Sequence, residues 1–419
     1  MPRRYFVFSK NPRAILRAWF LRDRFTALFS RLNLSHLACL LTLSLSVLAS
    51  AQTTIHVPAD QPTIQAGINA ANNGDTVLVA PGTYKENIRF NGKAITVTSS
   101  GGSSVTTING GNTPGVPTVA FTNGETNTSV ISNFTITGGG DSIFADNGDG
   151  GVYVSGASPT IQGNTVTANY CHNIDVEFGS AAILNNVVSG VLQSTQGSGP
   201  DASYCTFGSG INLQGDNFSG TLGNTIIGNT IISNLTGSAI NLWAANNVLI
   251  MNNTISKNAS PNPGSAVISA NSIGTVIIQN LIYDNISSCG GAIALDEGGT
   301  SASNPNELIA NNTMVNNVMS LQPFTASNCI DIAQIYPGSY GYGESGPGQV
   351  FVNNIISGST SYPAVNCNWL ATPSETDQPT FESNILYNAG GPFFGVGGRM
   401  ASPDTNRLFL AHGDGQCLG

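Results

Sequence analysis

The chain has 419 residues, 40% of them hydrophobic, with 49 glycines and only 9% charged residues. Abundant β-branched residues, Gly, Asn, Thr and Ser, set against scarce Lys, Glu and Arg, exclude a mainly helical protein. A formal net charge of −9 excludes nucleic acid as a partner, because its phosphates need a basic face.

Residues 1–51 read as a signal peptide. Arg3, Arg4, Lys10, Arg13, Arg17, Arg22, Arg24 and Arg31 precede an apolar run from Leu37 to Leu48 that ends in Ala49-Ser50-Ala51. This charged, apolar, small-residue order is that of a secretory leader, with cleavage expected after Ala51. The apolar run is about a dozen residues against the roughly 20 that a span needs, so no stable membrane span is expected. A secreted, periplasmic or cell-surface protein follows. The leader holds eight of the 14 basic residues and one of the 23 acids, so the chain beyond it carries a net charge of −16. Past Cys39 lie Cys171, Cys205, Cys289, Cys329, Cys367 and Cys417. Cys171 and Cys205, each just before a first strand of adjacent repeats, form the expected bridge.

Pro62 to Ala71 is the one convincing amphipathic helix, with Ile64, Ala66-Gly67-Ile68 and Ala71 on one side and Asp60 or Thr63 at its start. A helix there caps the open end of a stack of strands. The runs Gln65-Ala66-Gly67-Ile68, Gly74-Asp75-Thr76-Val77 and Pro81-Gly82-Thr83-Tyr84 resemble the opening of pectin-lyase-like right-handed parallel β-helix proteins. With the later repeats, the resemblance covers roughly residues 55 to 390. It implies an all-β, right-handed parallel β-helix (a solenoid) with a short N-terminal capping helix. That superfamily includes polysaccharide lyases, glycoside hydrolases, phage tailspikes and members without established chemistry, so the resemblance leaves function open.

The repeat is clearest in Gly237–Asn258, GSAINLWAANNVLIMNNTISKN, whose apolar residues fall in three short alternating runs closed by small residues or Asn. Gly264–Asn285 overlays it, with Ile240 on Val267, Asn253 on Asn280, Ile255 on Ile282 and Asn258 on Asn285. Weaker copies start at Gly150, His172, Ser209, Gly290, Cys329 and Ala364. Each copy has too little apolar surface to fold alone, whereas stacked copies pair every strand edge. A barrel or sandwich leaves unexplained why Asn recurs at one corner, where it tolerates left-handed backbone and stacks in ladders. The solenoid is expected over 52–389. Residues 390–419 read as an exit segment, either truncated or a small C-terminal cap.

Aligned on the first strand, Asp175, Asn212, Asn241, Asp331 and Asn366 form one outward column, and Glu177, Gln214, Trp243, Asp296 and Asn368 the next. Carboxylates one strand apart and two residues along lie roughly 7 to 8 Å apart, the spacing of an inverting glycosidase. Asp175, Glu177, Asp296 and Asp331 are therefore the catalytic candidates. Connections from first to second strand lengthen after Glu297, Gln334 and Trp369, all from one corner. The expected wall bears Tyr336, Tyr340, Tyr342, Glu344 and Trp369 and, with Trp243, forms a sugar-binding groove in which rings cover apolar sugar faces. Asp296, Glu297 and Asp331 supply oxygen ligands suited to Ca²⁺. His172 and Lys257 are read as structural, Lys257 as a turn residue. The resemblance implies Ca²⁺ with an Arg or Lys base for a pectate-lyase-like site, yet the central repeats hold only Lys257. A polysaccharide-binding monomer is expected, with a lyase or hydrolase of acidic glycans and a structural, adhesin-type solenoid as the alternatives.

Overall fold

The chain divides into Met1–Ala51 and Gln52–Gly419. The computed structural model describes residues 52–140, 150–193, 208–215, 223–260, 267–272, 274–287, 291–295, 307–319, 335–337, 349–358, 365–367, 380–388, 394–396, 399–400 and 409–411, all in the second unit.

These residues build a parallel β-helix. One coil runs Ile240–Trp243, Leu249–Met251 and Thr254–Ser256, one strand for each of three long sheets, and Ala259–Ser260 after it joins Ile286–Ser287 and Val318–Met319 in a short fourth sheet. Each long sheet has 12 strands, paired parallel from coil to coil along almost its whole length. Alternation along every strand sends Ile240, Leu242, Ile250 and Ile255 into a fully buried column and leaves Asn241 and Trp243 outside. Burial on the inner face of all three sheets supplies the hydrophobic stabilisation that no coil has alone. Aromatic pairs fill the column towards its two ends, with Phe90–Phe121 centroids 4.2 Å apart and Phe351–Phe381 stacked at 4.7 Å.

The N-terminal end is closed by helix α1 (Ile64–Ala70), which buries Ile64, Gly67 and Ile68. Of the two starts the sequence offers, Asp60 and Thr63, it is the Thr63 side chain that caps the helix, accepting from Ala66 N. Glu86 accepts from the backbone N–H groups of Ile64 and Gln65, both at 3.0 Å. Lys93 Nζ donates to the carbonyls of Ile68, Asn69 and Ala71 at the other end. Opposite charges thus sit at the matching ends of the helix dipole. Gly67 is required by contact, because a Cβ there would lie 2.8 Å from Val77 Cγ1.

The corner between second and third sheets shows what the recurrent asparagines do. A ladder runs from Asn164 through Asn186, Asn229, Asn253, Asn280, Asn312 and Asn354 to Asn384, every member buried. Asn253 is typical. Its Nδ2 donates to Asn280 Oδ1 at 3.0 Å and to Ile226 O at 2.8 Å, while its Oδ1 accepts from Asn229 N and Nδ2. The left-handed backbone falls on the residue before each rung, as at Asn185, Asn252, Gln279, Asn311 and Asn353. Two jobs expected of one asparagine are split between neighbours. A second ladder, Asn234, Asn258, Asn285 and Asn317, follows the third strand. Lys257 precedes one of its rungs with φ 55°, which makes it the turn residue expected. Val191 occupies one rung position, and Asn173 bridges the gap from Asn169 to Asn234.

The register departs from the sequence overlay in two places. Ile240 pairs with Ile268, not Val267, because the connection 272–275 is one residue shorter than 244–248, while the Asn253, Ile255 and Asn258 alignments hold. The strand after Ile293–Leu295 in the first sheet is Ile335–Pro337, so Tyr336, rather than Asp331, follows Ala294. The strand pattern also extends past Ala389. Phe394–Val396 adds a parallel strand to Val365–Cys367, and Arg399–Met400 then pairs antiparallel with it. Phe409–Ala411 pairs antiparallel with Asn384–Leu386, so the first and third sheets both end on antiparallel strands.

Candidate functional site

The outer face of the first sheet carries the polar columns. Strands Val152–Ser155, Ile174–Glu177, Ile211–Gln214 and Ile240–Trp243 pair in register, which stacks Tyr153, Asp175, Asn212 and Asn241. Two residues along, Ser155, Glu177, Gln214, Trp243 and Asn271 stack beside them. Asp175, Asn212, Asn241, Glu177, Gln214 and Trp243 therefore share a face as expected.

The first column is a directed hydrogen-bond chain. Asn241 Nδ2 donates to Asn212 Oδ1 at 2.8 Å, and Asn212 Nδ2 donates to Asp175 Oδ1 at 2.8 Å. Tyr153 donates from its hydroxyl to Glu177 Oε2 at 2.7 Å, which links the two columns at their N-terminal end. Although this face points away from the core, Tyr153, Asp175 and Asn212 are only 7%, 5% and 8% exposed. Burial pushes the Asp175 carboxyl up to about 6, against the bond from Asn212 that favours its charged form. Burial, with the bond to Glu177 second, raises the Tyr153 hydroxyl above its ordinary range, so it is a donor at any physiological pH. The ladder thus grades from a covered carboxylate to an open edge, where Trp243 is 56% exposed.

His172 sits just before the Asp175 strand and is nearly buried, its Nδ1 accepting from Ser209 N at 2.9 Å. Burial lowers its pKa to about 4, which keeps the ring neutral. This agrees with the structural role read from its isolation in the sequence. Cys171 is fully buried, and its expected partner Cys205 lies outside the described residues.

Among the other expected site residues, Tyr336 follows Ala294 in the first column by strand register. Asp296, Glu297, Asp331, Tyr340, Tyr342, Glu344 and Trp369 lie outside the described residues. The strand bounds place the connections 296–307, 338–349 and 368–379 between the first and second sheets in consecutive coils, which is the shared corner expected of the lengthened loops. Among the described residues, no group of three or more His, Cys, Asp or Glu side chains is arranged to hold a metal ion. Sequence reasoning missed Tyr153. Its signal was the alternation in Gly151-Val152-Tyr153-Val154-Ser155, which puts a phenol in the column one coil before Asp175.

No family model matches the chain, and no curated protein does. Among solved structures, it is similar to the Streptococcus pneumoniae surface protein and adhesin PfbA, at 15% identity over 80% of this chain and 94% of that one, TM-score 0.45. It is also similar to the catalytic domain of a GH87 α-1,3-glucanase in complex with nigerose, at 14% identity over 86% and 68%, TM-score 0.46. A third likeness is the Dettilon tailspike protein, at 13% identity over 81% and 64%, TM-score 0.45. Fold class here follows from the strand register itself. No helix among the described residues is long and apolar enough to cross a membrane.

Proposed function

We propose that the protein is exported and binds a polysaccharide along the outer face of the first sheet. One observation carries this reading: Trp243, 56% exposed, stands one column from the amide chain that runs from Asn241 to Asp175. An exposed indole covers an apolar sugar face, and the partly exposed Asn241 amide beside it, held in place by the covered chain behind it, meets a sugar hydroxyl. The lengthened connections at 296–307, 338–349 and 368–379 belong to the same reading as a wall beside this face, with Trp369 and Glu344 among its contacts. The composition of residues 1–51 supports export.

Charge narrows the ligand. Among the described residues the acids of the face are Asp175 and Glu177; Lys85, Lys93 and Lys257 lie outside its strands, whereas Arg89 and Arg399 lie in them, exposed Arg89 in the first column two strands before Tyr153. Beside Asp175, Glu177 and Trp243 a uronate polymer would meet like charge, with Arg89 three strands from Asp175 in the column, so a neutral or amino-sugar glycan fits better.

A glycoside hydrolase is the second reading, favoured by the raised pKa of Asp175 two residues from Glu177 on one strand. Such a carboxyl is a proton donor near neutral pH, and its partner a base. Its near-complete burial favours the binding reading over this one.

The deciding experiment is titration of soluble neutral glucans, amino-sugar polymers and uronates, with turnover followed in parallel. Binding without new reducing ends supports the first reading. New reducing ends support the second, and ultraviolet-absorbing unsaturated products a lyase. Failure to bind any of them overturns both.

A further inference from the structure

Phe178 follows the strand Ile174–Glu177, where alternation would carry it towards the core, yet it is 46% exposed. Its backbone is left-handed, with φ 53°, and among the described non-glycine residues in that region it is the one aromatic. A bulky residue there is strained, and strain of this kind gathers at functional sites. The turn itself needs no ring. Gly156 N donates to Glu177 O, Phe178 N to Gln214 O and Gly215 N to Trp243 O, so Gly156, Gly215 and Ala244 hold the same corner in neighbouring coils. Gly156 and Ala244 share the left-handed backbone, at φ 59° and 52°. Nor does the ring pack on another aromatic, since neither ring pair among the described residues includes it.

Trp243 stands two strands further along, because Glu177 pairs with Gln214 and Gln214 with Trp243. Two strand spacings of about 4.8 Å and a step of one residue put the two backbones about 10 Å apart. Between them the corner carries Gly215, where a side chain would strike Ala244 O, and the strand carries the partly exposed Gln214. Two exposed aromatic residues thus flank a small, polar stretch at the C-terminal ends of three adjacent strands.

We propose, on the basis of the glycan-binding reading above, that Phe178 is a second sugar platform and that the two rings select an extended glycan lying along the solenoid axis. In a β-1,4-linked chain of pyranoses, each unit advances by about one strand spacing and alternate units present the same face. The first and third units then cover Phe178 and Trp243, while the second crosses Gln214, whose amide meets a hydroxyl. A chain that curls, such as an α-1,4-linked glucan, turns away from the second ring. The ligand class is therefore a β-1,4-linked neutral or amino-sugar chain of at least three units.

The test is calorimetric titration with cello- and chito-oligosaccharides of two to six units and with the corresponding polymers, using malto-oligosaccharides as the curling control. In at least one β-1,4-linked series, wild type is expected to gain roughly fivefold or more in affinity from two units to three. Phe178→Gly, which suits the left-handed backbone, should lose that step while still binding the disaccharide, and Phe178→Tyr, which keeps a ring, should retain it. A step that survives in Phe178→Gly overturns the inference, and so does an equal step with malto-oligosaccharides. Polymer binding that Trp243→Ala weakens and Phe178→Gly leaves unchanged overturns this inference alone, whereas a wild type that binds no polymer overturns the glycan-binding reading with it.

Discussion

Asparagine forms two kinds of ladder in this molecule, and their difference separates structure from recognition. At the corner between the second and third sheets, each buried amide bonds to the next coil and to backbone groups, as Asn253 does with Asn229 N and Ile226 O. On the outer face of the first sheet, Asn241 and Asn212 bond through side chains alone, and their chain ends on the Asp175 carboxylate. The donors point in opposite directions, towards the C-terminus in the inner ladder and towards the N-terminus in the outer one. An amide tied to backbone is committed to the fold, whereas Asn241, partly exposed and bonded only to its neighbour, is free to exchange that bond for a ligand hydroxyl.

The largest effect should come from breaking the inner ladder. Asn253→Ala leaves the buried Asn229 N–H without the Oδ1 it donates to and removes the bonds to Ile226 O and Asn280 Oδ1, and is expected to cost about 3 kcal/mol or more, read from the denaturant midpoint. Asn212→Ala in the outer chain orphans only the Asp175 bond and the half-exposed Asn241 amide. It should cost about 1 kcal/mol. Near-equal losses in the two variants would erase the distinction.

The pH dependence sharpens it. Asp175 titrates near 6 in the folded state against an ordinary 3.8, so the folded chain binds the extra proton between those values, and this group's contribution to stability falls as pH rises through that window. His172, lowered from 6.5 to about 4, acts oppositely, because the unfolded chain takes the proton and stability falls as pH drops from 6.5 towards 4. Asp175→Asn should therefore raise stability relative to wild type at pH 8 by about 1–2 kcal/mol, with the gain shrinking towards pH 4. Thermal melts across pH would read this, and a gain independent of pH would contradict it. The smallest effect belongs to the turn. Lys257, exposed at φ 55°, should gain about 0.5–1 kcal/mol on replacement by Gly, because the strain is local and touches no rung.

The same contrast explains what the sequence made legible. The second and third strands were readable because a two-residue corner with a buried Asn rung fixes their spacing in coil after coil, as at Asn253, Asn280 and Asn312. The capping helix was readable from Thr63 and the apolar positions of Ile64, Gly67 and Ile68. First strands are joined by connections of varying length with no fixed corner residue, and both register departures fall on them: at Ile268 the connection out of the strand is one residue shorter, and at Ile335 the strand follows connection 320–334. Candidate site residues suffer most, since they sit on that sheet. Asp175, Glu177 and Trp243 were placed from alternation alone, while the bond from Tyr153 to Glu177 spans two coils and is invisible without their pairing.

The account stands on the outer face of the first sheet being the recognition surface, and Trp243 is its most direct probe. Trp243→Ala should weaken binding of a neutral or amino-sugar polymer by roughly fivefold or more, about 1 kcal/mol, with the melting temperature unchanged because the ring is already 56% exposed. Calorimetric titration of wild type and variant against the same glycan measures both sides of the claim. A wild type that binds the polymer and a variant that binds it equally well would contradict the account.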